Sequence, residues 1–94
     1  MSDFGKLVKE LRKERGLTLE QVARKIRSHK GYVSGIESGK VAPPSVRFIH
    51  RFARLFRQDA KEMILTAYLD KAPQEIRAWL RSLVSRGRQR RSPR

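Results

Sequence analysis

The apolar residues of this chain recur every three or four positions and nowhere alternate strictly, and this spacing limits the possible folds more than any other feature. The pattern begins with Phe4, Leu7, Val8 and Leu11, separated by charged residues. Apolar residues at i, i+3, i+4 and i+7 share one face of an α-helix, whereas a half-buried strand needs alternation with a period of two. The sequence therefore predicts an all-α fold.

Capping and stop signals divide this pattern into five to six short helices. Gly16 ends the first helix. Thr18, followed three residues later by Gln21, forms a capping box, so the second helix is predicted to begin near residue 19. Ser28 is the predicted N-cap of a third helix of about two turns, because serine is a favoured N-cap residue. Gly39 follows the end of this helix and is expected in a left-handed conformation.

Three more helices are predicted beyond the proline-rich loop. Ser45 and Asp59 are the expected N-caps of the fourth and fifth helices, and Pro73 suits the first turn of a sixth helix. The residues expected to face inward are Val46, Ile49, Phe52, Ala53 and Phe56 on helix four, Met63, Ile64, Ala67 and Tyr68 on helix five, and Ile76, Leu80, Leu83 and Val84 on helix six.

The last nine residues, "RGRQRRSPR", contain five arginines and neither an acidic nor an apolar side chain. Such a segment cannot bury enough apolar surface to offset the entropy of ordering. Residues 86–94 are therefore predicted to form a disordered basic tail, which either contacts phosphate groups or only aids solubility.

The charge of the chain indicates a polyanionic partner. Lys and Arg number 23 against nine Asp and Glu, which gives a formal net charge of +14 over 94 residues. A small domain with this charge repels itself unless a polyanion offsets the repulsion. Nucleic acid is the first partner to consider, and a basic surface that only promotes solubility is the alternative.

Several classes of function lose their usual sequence signals. The chain has no cysteine and only two histidines, His29 and His50, so neither a disulfide nor a metal site is predicted. The carboxylates are scattered singly, so no catalytic residue, cofactor or enzymatic activity is expected. No apolar run is long enough to span a membrane. A cytoplasmic protein associated with the nucleoid is expected.

The second helix, a short break and the third helix are the parts of a helix-turn-helix. Four pieces occur in order, namely "LRKERGLTLEQVA", "YVS", "IESGK" and "PPS" before an apolar helix. Together they resemble the phage-repressor, or Xre and Cro type, family of regulators. The resemblance covers about residues 4–56 and implies a lambda-repressor-like DNA-binding domain. The predicted division of the chain is this domain over residues 4–69, with its motif at about 18–37, a C-terminal helix over 70–85 and the tail over 86–94.

In this family the third helix enters the major groove with its N-terminal end first. The residues that the resemblance places at DNA are Thr18, Ser28, His29, Lys30, Gly31, Tyr32, Ser34, Gly35 and Lys40. Lys30, Gly31 and Gly35 occupy the clearest base-reading positions. A long side chain in place of Gly35 should then be accommodated by the fold. Two alternatives stay open: the glycines relieve crowding, and Lys30 contacts a phosphate.

The resemblance also pairs Arg12 of the first helix with Glu37 of the third, although both side chains could instead be solvated. The sixth helix, which carries Trp79, either completes the monomer core or forms a two-fold interface. The predicted function is a sequence-specific transcriptional repressor that binds two DNA half-sites as a homodimer. The alternatives are an antitoxin-type module with a protein partner and a sequence-tolerant nucleoid or RNA-binding protein.

Overall fold

The computed structural model describes residues 2–90, with side chains up to residue 83. Within that range the chain forms six α-helices and no strand, in agreement with the predicted all-α class. The helices are α1 (Asp3–Glu14), α2 (Leu19–Lys25), α3 (Lys30–Ser38), α4 (Val46–Phe56), α5 (Ala60–Lys71) and α6 (Gln74–Arg90).

The capping signals place most helix boundaries correctly. The capping box of Thr18 is present, because its hydroxyl accepts from the Gln21 backbone N–H at 3.1 Å while the Gln21 side chain accepts from the Thr18 N–H at 2.8 Å. Asp59 caps α5 by accepting from the N–H groups of Lys61 and Glu62. Gly39 is left-handed with φ 81°, as predicted.

The predicted N-cap of α3 is wrong by one residue. His29 takes this position, and its Nδ1 accepts from the Tyr32 N–H at 3.2 Å. Ser28 instead belongs to the end of α2, where its N–H donates to the Ala23 carbonyl at 2.8 Å. That bond closes the last turn of α2 through Arg27, which is left-handed. The extended residue that precedes α3 is His29, with φ −128° and ψ 161°.

Helices α1 to α5 enclose the core. Its largest fully buried side chains are Phe4, Phe52, Phe56, Ile26, Ile36, Ile49, Met63, Val8, Val22 and Val33. Phe4 packs edge-on against Phe52, with ring centroids 5.9 Å apart, so α1 and α4 meet through two aromatic rings. The most apolar predicted helix, α4, therefore contributes four of its five expected residues, Ile49, Phe52, Ala53 and Phe56, to the core.

On α4 and α5, two residues expected to face inward do not. Val46 is the first residue of α4 and is 39% exposed, because it lies at the end of the helix beyond the core. Tyr68 is 51% exposed, although Met63 and Ala67 of the same predicted stripe are buried as expected and Ile64 is half-buried. The inward side of α5 also includes Thr66 and Leu69, and it continues to the half-buried Asp70.

Asp70 explains this orientation of α5. Its two carboxylate oxygens accept from the backbone N–H groups of Asp3 and Phe4, at 2.9 and 3.0 Å. These N–H groups belong to the first turn of α1, where no intrahelical acceptor exists. The side chain of Asp3 in turn accepts from Nε of Arg81 on α6 at 2.7 Å. Residues from α5 and α6 thus hold the start of α1.

The sixth helix packs on α5 and leaves much of its apolar surface uncovered. The expectation that Ile76 and Leu83 face inward is wrong, because α6 packs mainly on α5 and both side chains are exposed, as is Trp79. Leu80 is half-buried, and Val84 lies beyond the described side chains. The helix continues to Arg90, past the residue at which the basic tail was predicted to begin. Arginine is a good helix former, so the pattern break at residue 86 did not stop the helix. The rest of the predicted tail, residues 91–94, lies outside the described residues.

Candidate nucleic-acid interface

The turn between α2 and α3 sets the direction in which α3 leaves the domain. Ile26, the C-cap of α2, is fully buried, and Arg27 adopts a left-handed conformation with φ 62°. Val33 and Ile36 then bury one side of α3 against α1 and α2. The opposite side of α3, with Lys30, Gly31 and Ser34, is exposed. The domain therefore presents the N-terminal half of α3 to solvent.

His29 is an exposed donor at the tip of this surface. Because its Nδ1 accepts the Tyr32 N–H, the proton of the neutral ring is assigned to Nε2. Because His29 is exposed, its Nε2–H can donate to an acceptor outside the protein, such as a base edge or a phosphate oxygen. The N-cap bond thus fixes both the start of α3 and the orientation of the ring.

Tyr32 is a packing residue as much as a surface residue. Its half-buried ring lies between those of His29 and Phe48, with centroid distances of 6.1 and 5.7 Å. Burial raises the pKa of the Tyr32 phenol above its ordinary value, so the hydroxyl stays protonated at neutral pH. A protonated hydroxyl at this place can donate to a phosphate oxygen.

The predicted pair of Arg12 and Glu37 is present and connects α1 to α3. Glu37 Oε2 accepts from Arg12 Nε at 2.7 Å, and Glu37 Oε1 accepts from Nη2 at 3.2 Å. Arg12 Nη1 also donates to the Leu17 carbonyl at 3.0 Å, in the loop before α2. One guanidinium therefore fixes α3 and the α1–α2 loop relative to α1. The alternative of two solvated side chains is wrong.

The two glycines of the exposed face have different surroundings. A Cβ on Gly31 would meet only the His29 ring, at an ordinary contact distance of 3.5 Å from Nδ1. A Cβ on Gly35 would lie 2.5 Å from Cγ2 of Val41, whose N–H donates to the Gly35 carbonyl at 3.0 Å. A side chain at residue 35 therefore requires Val41 to move, because the loop after α3 packs there, and this favours the alternative that Gly35 relieves crowding. Gly31 is the open position.

The three remaining predicted residues, Thr18, Lys40 and Ser28, lie outside α3. Thr18 lies at the exposed N-terminus of α2, but its hydroxyl serves the capping box. Lys40 is exposed just after α3. Ser28 is half-buried at the end of α2. The structure thus brings His29, Lys30, Gly31 and Ser34 onto one face, with Thr18 and Lys40 on separate elements.

Sequence reasoning missed two contacts that shape this face. The capping role of His29 was hidden by Ser28, a better N-cap residue one position earlier, and only the hydrogen bond of Ser28 to α2 separates the two. The contact of Val41 with Gly35 depends on the path of a loop, for which the sequence has no periodic signal. A glycine inside a helix is the one sign that a neighbour approaches closely there.

Over residues 2–83, no group of three His, Asp or Glu side chains is placed to hold a metal ion. No helix in the described part of the chain is long and apolar enough to cross a membrane.

Comparisons with known proteins agree with this geometry. A family model described as a helix-turn-helix domain matches residues 3–63. Among solved structures, SinR, described as the master regulator for biofilm formation, in complex with DNA, is 28% identical, with a TM-score of 0.60 over 65% of this chain and 97% of that one. The N-terminal DNA-binding domain of SinR from Bacillus subtilis is also 28% identical, with a TM-score of 0.59 over 65% and 88%. No curated protein sequence matches significantly.

Proposed function

This chain belongs to the helix-turn-helix domain family, and from that premise we propose that it is a nucleoid-associated transcriptional repressor that binds two DNA half-sites as a homodimer. That it is a DNA-binding regulator rests on the family and on the likeness to SinR. We propose in addition that the protein represses transcription, binds a specific DNA sequence and forms a dimer.

The observation that carries the proposal is the exposed N-terminal half of α3. Val33 and Ile36 hold this helix to the core from one side, and the Arg12–Glu37 pair holds its C-terminal half. A helix fixed in this way can enter the major groove as a rigid body, with His29 and Lys30 foremost. Lys30 can donate to guanine O6 and N7, and Ser34 can make a shorter polar contact.

Phosphate contacts would fix the register of α3 on DNA. The N-termini of α2 and α3 carry backbone N–H groups without intrahelical acceptors, and anions bind favourably at such ends. Thr18, Tyr32 and Lys40 lie beside these ends or just after α3. Two of them are exposed and Tyr32 is half-buried. Contacts of this kind orient the protein without reading the sequence.

The homodimer is supported by an uncovered apolar surface on α5 and α6, which we name the apolar face. It consists of Leu65, Tyr68, Ile76, Trp79 and Leu83, which are 42–62% exposed. Isolated exposed apolar side chains are ordinary, but several on adjoining helices are typical of protein interfaces. A two-fold dimer places two copies of α3 on two half-sites, and repression would follow from occupation of the promoter by both copies.

A second candidate function is sequence-tolerant binding of nucleic acid. It is favoured by Gly31, which leaves one base-reading position without a side chain, and by the net charge of +14. With few base contacts, affinity would come mainly from phosphates and would be the same on any sequence. The protein would then coat DNA rather than occupy an operator.

Selection of bound duplexes from a random-sequence pool separates the two candidates. The proposal expects one consensus with two-fold symmetry, and binding of that site should exceed binding of scrambled DNA by about 10³-fold or more at physiological salt. Duplexes recovered without any consensus, at an affinity equal to that for scrambled DNA, would instead establish the sequence-tolerant function. Absence of binding to any duplex would refute both.

A further inference from the structure

The ends of α2 and α4 form an open groove of about 590 Å³, which we name the basic groove. It is lined by Lys25, Arg27, Arg51, Arg54, Leu55 and Arg57. Five of these six residues are cations, and no carboxylate is among them. None of them belongs to α3, so the groove is separate from the face that carries Lys30. Like charges gather here without a lining residue of opposite sign.

Two of the cations occupy backbone conformations that do not suit them. Arg27 has φ 62° and Arg57 has φ 54°, and these are the non-glycine residues of positive φ in the described part of the chain. Each follows the end of a helix, where glycine is the usual residue because its lack of Cβ removes the steric cost. Both arginines line the basic groove. A cation after a helix end interacts favourably with the helix dipole, but this does not account for both side chains lining the same groove, whereas a shared function does.

Arg51 connects the groove to the region of α3. Its Nη1 donates to the Ile26 carbonyl at 3.1 Å, and its guanidinium lies 4.9 Å from the centre of the Phe48 ring. Phe48 contacts Tyr32, which is in the first turn of α3. Arg27 precedes α3 by only three residues. The basic groove therefore lies beside the α3 N-terminus and is held there by defined contacts.

The lining indicates what the groove binds. Arginine presents planar donors that match the oxygens of phosphate groups. Pockets for small ligands are mostly apolar, with a few polar groups that fix orientation, but here Leu55 is the one apolar lining residue and no aromatic ring is present to hold a base. Four of the five cations are exposed, so the groove can receive an extended chain. These features favour a phosphodiester backbone over a free nucleotide.

We propose that the basic groove is a second DNA contact, which holds the phosphodiester backbone outside the segment read by α3. This inference rests on the proposed function, because it assumes that the protein binds duplex DNA. The groove adds affinity and salt dependence but no sequence preference, since phosphates carry no base information.

The test uses the double variant Arg27→Gly/Arg57→Gly, whose glycines suit both left-handed positions. Its melting temperature should equal or exceed that of the wild type, so loss of folding does not confound the result. The matched control is Lys13→Ala/Lys61→Ala, which removes two charges from exposed positions on α1 and α5. Binding of a long duplex is measured by fluorescence anisotropy at several salt concentrations.

Each phosphate contact contributes about 0.9 to the slope of log affinity against log salt, so the groove variant should lose about 2 units of slope. The control should keep the wild-type slope, and the consensus should be the same for all three proteins. Equal slopes for the groove variant and the control overturn the inference while the proposed function stands. A wild type that binds no duplex overturns both.

Inorganic tripolyphosphate provides a second arm. If the groove holds DNA backbone, tripolyphosphate should compete with the long duplex only weakly. Its affinity should also differ less between the wild type and the groove variant than the affinity of DNA does. If it binds the wild type but not the groove variant, while both proteins show the same salt slope on DNA, the groove is a site for a free polyphosphate. That result overturns the backbone contact.

Discussion

Arg12 and Glu37 share two hydrogen bonds across the contact between α1 and α3, and their side chains are only 14% and 8% exposed. Deleting one partner of a pair that is this far removed from water costs more stability than the intact pair contributes, because the other charge stays buried without its partner. The pair therefore holds α3 in position, and its removal should lower the stability of the domain.

Glu37→Ala and Arg12→Ala should each lower the free energy of unfolding by about 2 kcal/mol, the scale of a charged hydrogen bond lost in a partly buried place. The double variant should lose less than the sum of the two, with a coupling of about 1 kcal/mol or more. Urea unfolding of the four proteins measures both quantities. Strict additivity would show that the two residues act independently.

The glycines of α3 should respond to substitution in opposite directions. Gly31→Ala should raise the free energy of unfolding by up to about 1 kcal/mol, because alanine favours an exposed helix and nothing obstructs its Cβ. Gly35→Ala should lower it by about 1 to 3 kcal/mol, because Val41 must move. Thermal unfolding of both variants checks the difference.

The control for Gly35 removes its neighbour. In a Val41→Ala background, Gly35→Ala should cost less than in the wild type, since the Cγ2 atom that a new Cβ would meet is gone. The same cost in both backgrounds would mean that Val41 is not the obstacle.

Lys30 should contribute a base contact. Lys30→Ala should cost about 1 to 3 kcal/mol of binding to the selected site and relax the consensus at one position. The matched control is Lys40→Ala, for which a phosphate contact predicts a loss that is equal on all sequences. If Lys30→Ala behaves like this control, Lys30 also contacts a phosphate.

Asp70 should be important for stability although it is only half-buried, near the C-terminal end of α5. Asp70→Ala removes the acceptors of two N–H groups in the first turn of α1, so the free energy of unfolding should fall by about 1 to 2 kcal/mol. Asp70→Asn retains one acceptor oxygen, so its free energy of unfolding should lie between those of the wild type and Asp70→Ala. Urea unfolding gives the order, and wild-type stability of Asp70→Ala would contradict it.

The apolar face of α5 and α6 should mediate the dimer. Trp79→Glu places a charge on this face and should shift the protein from dimer to monomer in sedimentation experiments at micromolar concentration. Gln74→Glu, on an exposed position of the same helix, makes the same change in charge and should leave the dimer intact. A wild type that is monomeric at these concentrations would exclude the apolar face as a dimer interface.

Local sequence patterns were sufficient to predict the features that depend on apolar spacing or on a single capping side chain. Apolar spacing indicated the inward side of α4, and the Thr18 capping box located α2 to the residue. The Arg12–Glu37 pair followed from the resemblance to a family and not from spacing, because the two residues belong to different helices. The buried side of α5 was predicted only in part, since Met63 and Ala67 are buried but Tyr68 is exposed. Apolar residues surround that helix, and its contact with α1 through Asp70 has no signal in the spacing.

The exposed face of α3 was predictable in its residues but not in its neighbours. The resemblance to the family placed His29, Lys30 and Gly31 on the outward face of α3, and all three are exposed. The environment of Gly35 depends on a loop that no repeat or cap describes. The basic groove was equally hidden, because its cations are spread over 33 positions of the chain, from residue 25 to residue 57, and meet only when α2 and α4 have packed.

Asp70 of α5 and Arg81 of α6 bind the first turn of α1, so the opening of this turn is coupled to the packing of α5 and α6. The match to the helix-turn-helix family ends at residue 63, yet both side chains lie beyond it and reach residues 3 and 4. A terminus that is tied down in this way does not open locally at low cost. The Phe4 amide should therefore resist hydrogen exchange about as long as the centre of the domain, and a chain shortened to residue 63 should lose that protection first.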